Sequence, residues 1–94
     1  MIVRYRQRAL TDLDDIFTYL NERSPQGARN VLFAIRATID DIAQNPLAAR
    51  QTSDPTVRVK VVRRYLYKVF YTPSADEIEI LHIRHSARRP WVRE

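Results

Sequence analysis

Apolar residues change their spacing along the chain, and each spacing predicts one kind of element. Residues 2–6 read IVRYR and alternate in the manner of a short β-strand. From Ala9 onwards the apolar residues recur every three or four positions, which is typical of one face of an amphipathic helix. The stripe of this first helix consists of Leu13, Ile16, Phe17 and Leu20.

A second helix is predicted after a short interruption. Ser24 followed by Pro25 is a favourable N-cap with proline at the first helical position. The sequence Asn45–Pro46 ends the pattern, and residues 46–56 read as a loop. Two helices separated by so short a break are expected to form an antiparallel hairpin. The apolar stripe of the second helix consists of Ala28, Val31, Leu32, Ile35, Ile39 and Ile42.

Three strand candidates follow the loop. Residues 57–62 alternate valine with basic residues, residues 67–72 are aromatic and β-branched, and residues 77–84 form the last run after a turn at 73–76. The order predicts one α+β domain over residues 1–94, in which an N-terminal strand and a helical hairpin precede a three-stranded antiparallel sheet. With the helices packed on one face, we expect Val57, Val59 and Val61 to point toward them, and Arg58 and Lys60 to lie on the uncovered face.

Composition narrows the classes of function. The chain has 94 residues, which suits one core, and its single glycine leaves no material for a glycine-rich phosphate loop. The absence of cysteine excludes disulfides, thiolate nucleophiles and thiolate zinc sites. The sequence contains no signal-peptide pattern and no apolar run of about 20 residues, so we expect a cytoplasmic location. We expect no cofactor.

The positive charge is concentrated in the second half of the chain. Residues 1–47 contain six Lys/Arg and six Asp/Glu, whereas residues 48–94 contain ten and five, and the net charge is +5. Residues 57–71 carry five cations and no carboxylate. A one-sided basic surface favours an anionic partner, either nucleic acid or an acidic protein segment, although basic residues can also serve solubility alone.

Candidate chemistry is sparse. Phosphate cleavage would need cations and a proton donor or acceptor, for which His85 is a candidate because its ordinary pKa lies near neutrality. His82 lies among apolar residues of a strand and is expected to be structural. Asp12, Asp14 and Asp15 are interpreted as compensating the first helix dipole rather than binding a metal. No metal site is expected, since two histidines three apart on a strand point to opposite faces.

Three stretches together resemble the RelE/ParE superfamily of bacterial toxins, which are the toxin halves of type II toxin–antitoxin systems. These are the pattern A..DL.DI..YL..RSP..A at residues 9–28, the pattern I..I..NP at 39–46, and VRVKVVRRYLYKVFYTPSADEIEILHIRHSARRP at 57–90. The resemblance covers nearly the whole chain. It implies that an antitoxin with an acidic, partly disordered segment binds and neutralises the protein, and that promoter DNA is contacted only through that antitoxin.

The resemblance also implies two alternative targets. RelE-like members are ribosome-dependent mRNA endonucleases that use a basic cluster, whereas ParE-like members poison DNA gyrase. The ending LHIRHSARRP, without a tyrosine, is closer to the ParE branch, so we expect a gyrase inhibitor; a protein that only binds antitoxin is a third alternative. As an mRNA endonuclease, its catalytic candidates are Arg58, Lys60, Arg63, Arg84 and His85. The candidates for binding target or antitoxin are Arg58, Lys60, Arg63, Arg64, Tyr67, Arg84 and Arg88.

Overall fold

The computed structural model describes residues 1–86, which form two helices and five strands. In chain order the elements are β1 (Ile2–Tyr5), α1 (Gln7–Arg23), α2 (Pro25–Gln44), β2 (Arg50–Gln51), β3 (Arg58–Val61), β4 (Tyr67–Pro73) and β5 (Glu77–His85). The α+β class, the helical hairpin and the four longer strands agree with the sequence prediction. The two-residue strand β2 lies inside the stretch that was predicted to be a loop.

The strands form one sheet in the order β1-β5-β4-β3-β2. The first strand pairs parallel with the last, with Ile2 opposite Glu77 and Tyr5 opposite Ile80, and the remaining neighbours are antiparallel. The register between β4 and β5 shifts after Phe70. The extra residue opposite this point gives β5 a β-bulge, and such bulges bend a strand and increase its twist.

A single residue joins the two helices. The backbone N–H of Ser24 donates to the carbonyl of Leu20 at the end of α1, with an N···O distance of 2.8 Å. Its hydroxyl then accepts a hydrogen bond from the N–H of Gly27 at 3.0 Å, and Pro25 occupies the first helical position. Because one serine caps both helix ends, the chain reverses without a loop, as the sequence predicted.

The main core lies between the helical hairpin and one face of the sheet. Leu13, Ile16 and Leu20 pack against it from α1, but Phe17, which the stripe had included, is exposed. Its fully or nearly buried members from α2 and the sheet are Val31, Ile35, Ile39, Ile42, Val62, Tyr67, Val69, Tyr71, Ile78, Ile80 and Ile83.

The predicted orientation of β3 is wrong. Arg58 is paired with Tyr71 and Lys60 with Val69, and both partners belong to the main core, so the two cations lie on the face that carries the helices. Val59 lies on the opposite face. There it forms a second buried cluster with Val57, Phe70 and Leu81. The face turned away from the helices is therefore apolar at its centre.

Within the described residues, no helix has the length and apolar character that crossing a lipid bilayer requires.

Candidate binding surface at the β3–β4 turn

Residues 62–66 connect β3 to β4 at one end of the sheet, and hydrogen bonds hold this turn on both sides. The N–H of Val62 donates to the carbonyl of Tyr67 at 2.8 Å, which closes the turn. The N–H of Ser86 donates to the carbonyl of Leu66 at 2.5 Å, so the end of β5 is fixed beside it. The turn and the ends of three strands thus form one surface.

Three of its residues form a row across the sheet. Val61 is opposite Lys68, and Lys68 is opposite Arg84, so the three side chains lie on the face away from the helices. These three side chains and the exposed side chains of the turn together form what we call the basic turn surface. It consists of Val61, Arg63, Arg64, Leu66, Lys68 and Arg84.

The cations of the basic turn surface are not neutralised by the described part of the chain. Within residues 1–86, no salt bridge joins Arg63, Arg64, Lys68 or Arg84 to a carboxylate. The stretch from residue 57 to residue 75 contains no Asp or Glu at all.

The cations near the N-terminus, in contrast, form salt bridges with carboxylates of the same chain. Arg4 on β1 pairs with Glu77, and the Nη2 of Arg6 lies 2.9 Å from a carboxylate oxygen of Glu79. Their carboxylates come from the neighbouring strand β5, so the edge of the sheet formed by β1 is internally balanced. The four cations at the β3–β4 turn form a cluster that has no such carboxylate partners within residues 1–86.

Arg58 lies elsewhere and has a structural contact. Its guanidinium donates to the carbonyls of Leu47 and Ala49 at 3.1 and 2.7 Å, which holds the segment after α2 against the sheet. The neighbouring hydroxyl of Tyr71 donates to the carbonyl of Pro46 at 2.6 Å. Burial raises the pKa of Tyr71, and the positive charge of Arg58 opposes that rise without cancelling it.

The catalytic candidates are not brought to one site. Arg84 and His85 are consecutive residues of β5 and point to opposite faces. Arg84 lies beside Lys68, whereas the His85 ring meets the buried Tyr67 ring edge-on, with centroids 5.1 Å apart. Tyr67, a binding candidate, belongs to the main core. Arg88, the remaining candidate, lies outside the described residues.

The most specific polar contact in the described structure was not found from the sequence. The carboxylate of Asp12 on α1 contacts the ring Nδ1 of His82, and it accepts a hydrogen bond from the N–H of Ile83 at 2.9 Å. Strand β1 ends at Tyr5, so this edge of β5 has no strand partner beyond Ile80, and Asp12 satisfies it instead. A buried histidine within a strand needs a polar partner. That requirement was a signal, but it does not identify a residue 70 positions away.

The interpretation of Asp12 as a helix-dipole partner is wrong. Helix α1 begins at Gln7, so its first turn contains no acidic residue. Burial raises the pKa of Asp12, but the hydrogen bonds from His82 and the Ile83 amide outweigh burial, and the pKa lies below its ordinary value. Within residues 1–86, no three His, Asp or Glu side chains are grouped as ligands of a metal ion would be.

A sheet of this order with a helical hairpin on one face defines the fold of the RelE/ParE toxins. A solved chain of the chromosomal ParDE TA system from P. aeruginosa has a TM-score of 0.78 at 24% identity and covers 90% of this chain and 95% of its own. The isolated E. coli RelE toxin has a TM-score of 0.64 at 12% identity, covering 94% and 86%. Both likenesses concern the fold.

Sequence comparison identifies the family. The model of the ParE toxin of the type II toxin–antitoxin system parDE matches residues 3–90, and the chain belongs to that family. The protein named "Putative toxin Y4kP" from Sinorhizobium fredii is 32% identical over 89 residues, covering 95% of this chain and 91% of its own. Toxin RelE2 of Caulobacter vibrioides is 28% identical over 81 residues, covering 86% and 90%. The protein is a type II toxin, and the family implies a cognate antitoxin as its partner.

Proposed function

We propose that this toxin acts by binding and inhibiting DNA gyrase, and that direct binding of its antitoxin prevents this. The observation that carries the proposal is the match of the ParE family model to 88 consecutive residues, from 3 to 90. The opposite orientations of the nuclease candidates support it. Arg84 and His85 point to different faces, and Arg58 donates to backbone carbonyls on the helix side.

This arrangement favours binding over RNA cleavage for a physical reason. Cleavage at a ribose 2′-hydroxyl needs a proton acceptor, a proton donor and phosphate-stabilising cations around one scissile bond. The described candidates are divided between two faces of a sheet, and one sheet layer separates them. The alternative is a RelE-like mRNA endonuclease. It is suggested by the name of the relative from Caulobacter vibrioides, Toxin RelE2.

The proposal is tested by titrating purified toxin into a supercoiling assay with gyrase and relaxed plasmid. We expect supercoiling to fall, with cleaved plasmid trapped on the enzyme, and we expect toxin premixed with its antitoxin to leave the reaction unchanged. Full gyrase activity at saturating toxin would overturn the proposal.

Expression of the toxin in cells without its antitoxin distinguishes gyrase inhibition from mRNA cleavage and from loss of toxicity. Under the proposal, cells filament while their mRNA stays intact. Cut mRNA in the ribosomal A site, lost in Arg84→Ala or His85→Ala variants, would instead establish the RelE-like activity. Normal growth on expression of the toxin alone would show a protein that binds antitoxin without toxicity.

A further inference from the structure

We propose that the basic turn surface is the docking site for an acidic segment of the antitoxin, with an apolar side chain of that segment packed on Val61 and Leu66. This inference rests on the toxin belonging to an antitoxin pair and not on gyrase being the target. The sequence had also suggested Arg58 and Lys60 as antitoxin contacts. The proposed docking site excludes these two residues and lies at the end of the sheet that carries the β3–β4 turn.

The first argument is that the clustered cations of the basic turn surface have no carboxylate partners within the described residues. Four cations lie in and beside one turn, and none of them forms a salt bridge within the described residues, whereas Arg4 and Arg6 each have a carboxylate on the adjacent strand. Clustered like charges repel one another, so an arrangement of this kind costs stability in the free protein. An acidic partner removes that cost and gains attraction at short range.

The second argument is the apolar surface between the cations. Val61 is 53% exposed and Leu66 is 61% exposed. Val61 is paired with Lys68 across the sheet, and Leu66 lies two residues from both Arg64 and Lys68 in the sequence. Aliphatic side chains surrounded by charge suit a protein segment that has both carboxylates and an apolar anchor.

The same surface is poorly suited to nucleic acid. Single-stranded nucleic acid binds to cationic grooves through bases stacked on exposed aromatic rings. Among the described residues, the aromatic side chains at this end do not offer such rings, because Tyr67 is buried in the main core and Tyr65 packs partly against it. Between two anionic partners, the protein segment fits better.

The third argument is the backbone of the turn. Arg64 has φ of 74°, in the left-handed region that glycine or asparagine enters at lower cost. An arginine at this position therefore stabilises the free protein less than glycine would. The turn is also fixed by hydrogen bonds to β4 and to Ser86, so little conformational freedom remains to be lost on binding.

The strained arginine allows a test that separates binding from folding. The variant Arg64→Gly removes one cation while relieving the backbone, and it is expected to be no less stable than the wild type. Leu66→Ser removes the apolar contact, and Arg63→Glu reverses a charge. The matched controls are Arg29→Glu on α2 and Leu47→Ser, whose side chain is 69% exposed far along the chain from the turn.

The probe is the antitoxin that copurifies with the tagged toxin from cells carrying the native gene pair, separated in denaturant and refolded. Its affinity for each variant is measured by calorimetric titration, with thermal unfolding of each free variant alongside. We expect Arg64→Gly and Arg63→Glu to bind about tenfold or more weakly at about 50 mM salt, with the difference shrinking at about 500 mM. We expect Leu66→Ser to weaken binding about fivefold at either salt concentration, and the controls to bind as the wild type does.

Three results would overturn the inference. One is wild-type antitoxin affinity in all three turn variants. Another is loss of gyrase inhibition in these variants with antitoxin affinity unchanged, which would assign the surface to the target. The third is weakened binding of a labelled 30-nucleotide RNA without any effect on the antitoxin. If the wild-type toxin does not inhibit gyrase, the measured antitoxin affinities still test the docking site. The proposals of gyrase inhibition and of antitoxin docking can therefore be refuted independently.

Discussion

Asp12 shows how much of this fold depends on one side chain. Its carboxylate lies on a helix, yet it completes the hydrogen bonding of a strand whose neighbour in the sheet has already ended. It also contacts His82, whose ring stacks on Phe70 of the second apolar cluster at 6.1 Å between centroids. Asp12 therefore links α1 to β5, and the His82 ring extends this link to the second apolar cluster.

The substitution Asp12→Asn is expected to lower the free energy of unfolding by about 1–3 kcal/mol at pH 7, because it weakens charge-assisted hydrogen bonds in a mostly buried setting. The pKa of Asp12 is lower in the folded chain than in the unfolded chain. Its stabilisation is therefore complete above pH about 4 and is lost as the pH falls through the folded-state pKa. Urea unfolding from pH 7 to pH 2.5 should show wild type and variant converging in acid.

Asp14→Asn is the matched control for this measurement, since Asp14 is an exposed aspartate of the same helix. It should reduce stability by less than about 0.5 kcal/mol at every pH. A difference between wild type and Asp12→Asn that persists unchanged at pH 2.5 would contradict the role of the ionised carboxylate.

Residue roles were the least predictable part of the molecule. The structural role of His82 followed from its apolar neighbours in the strand, but its partner did not, because no local pattern connects residues 12 and 82. The exposed Val61 and Leu66 were likewise indistinguishable from core residues. Their exposure depends on where the turn lies relative to the sheet.

Elements with local signals were predictable almost to the residue. Ser24, Pro25 and Asn45–Pro46 mark the ends of α2 because capping and proline act over a few positions. The orientation of β3 was not predictable in the same way. Alternation separates Val59 from Arg58 but does not say which of them faces the helices, and here each face of the sheet holds its own buried cluster.

At the scale of elements, Ser24→Ala is expected to lower the free energy of unfolding by about 1 kcal/mol, because the N–H of Gly27 loses its acceptor at the start of α2. Chemical denaturation measures the effect. Ser53→Ala is the control, since Ser53 is an exposed serine outside the helices and strands. Equal stability of the two variants would contradict the capping role.

The whole molecule depends on β5, which contacts β1 and β4 within the sheet and packs under α1. Ile80 lies at its centre and is 0% exposed. Because its neighbours come from several elements, a cavity there weakens the domain as a whole rather than one part of it.

The variant Ile80→Ala should lower the free energy of unfolding by about 2–5 kcal/mol, with a single cooperative transition. Ile2→Ala is the control on the strand that pairs with β5, since Ile2 is 57% exposed. It should change stability by about 0.5 kcal/mol or less. Thermal unfolding followed by both tyrosine fluorescence and circular dichroism tests the prediction, and two separated transitions in Ile80→Ala would refute it.

The parallel pairing of β1 with β5 joins the two ends of the described chain across more than 70 residues. During synthesis, β1 emerges from the ribosome before β5 and has no neighbour in the sheet until residues 77–85 have also emerged. The helical hairpin can form early from local contacts, but closure of the sheet waits for the last strand. Nascent chains that stop before residue 77 should therefore remain open to proteases, and protection should appear only once β5 has been translated.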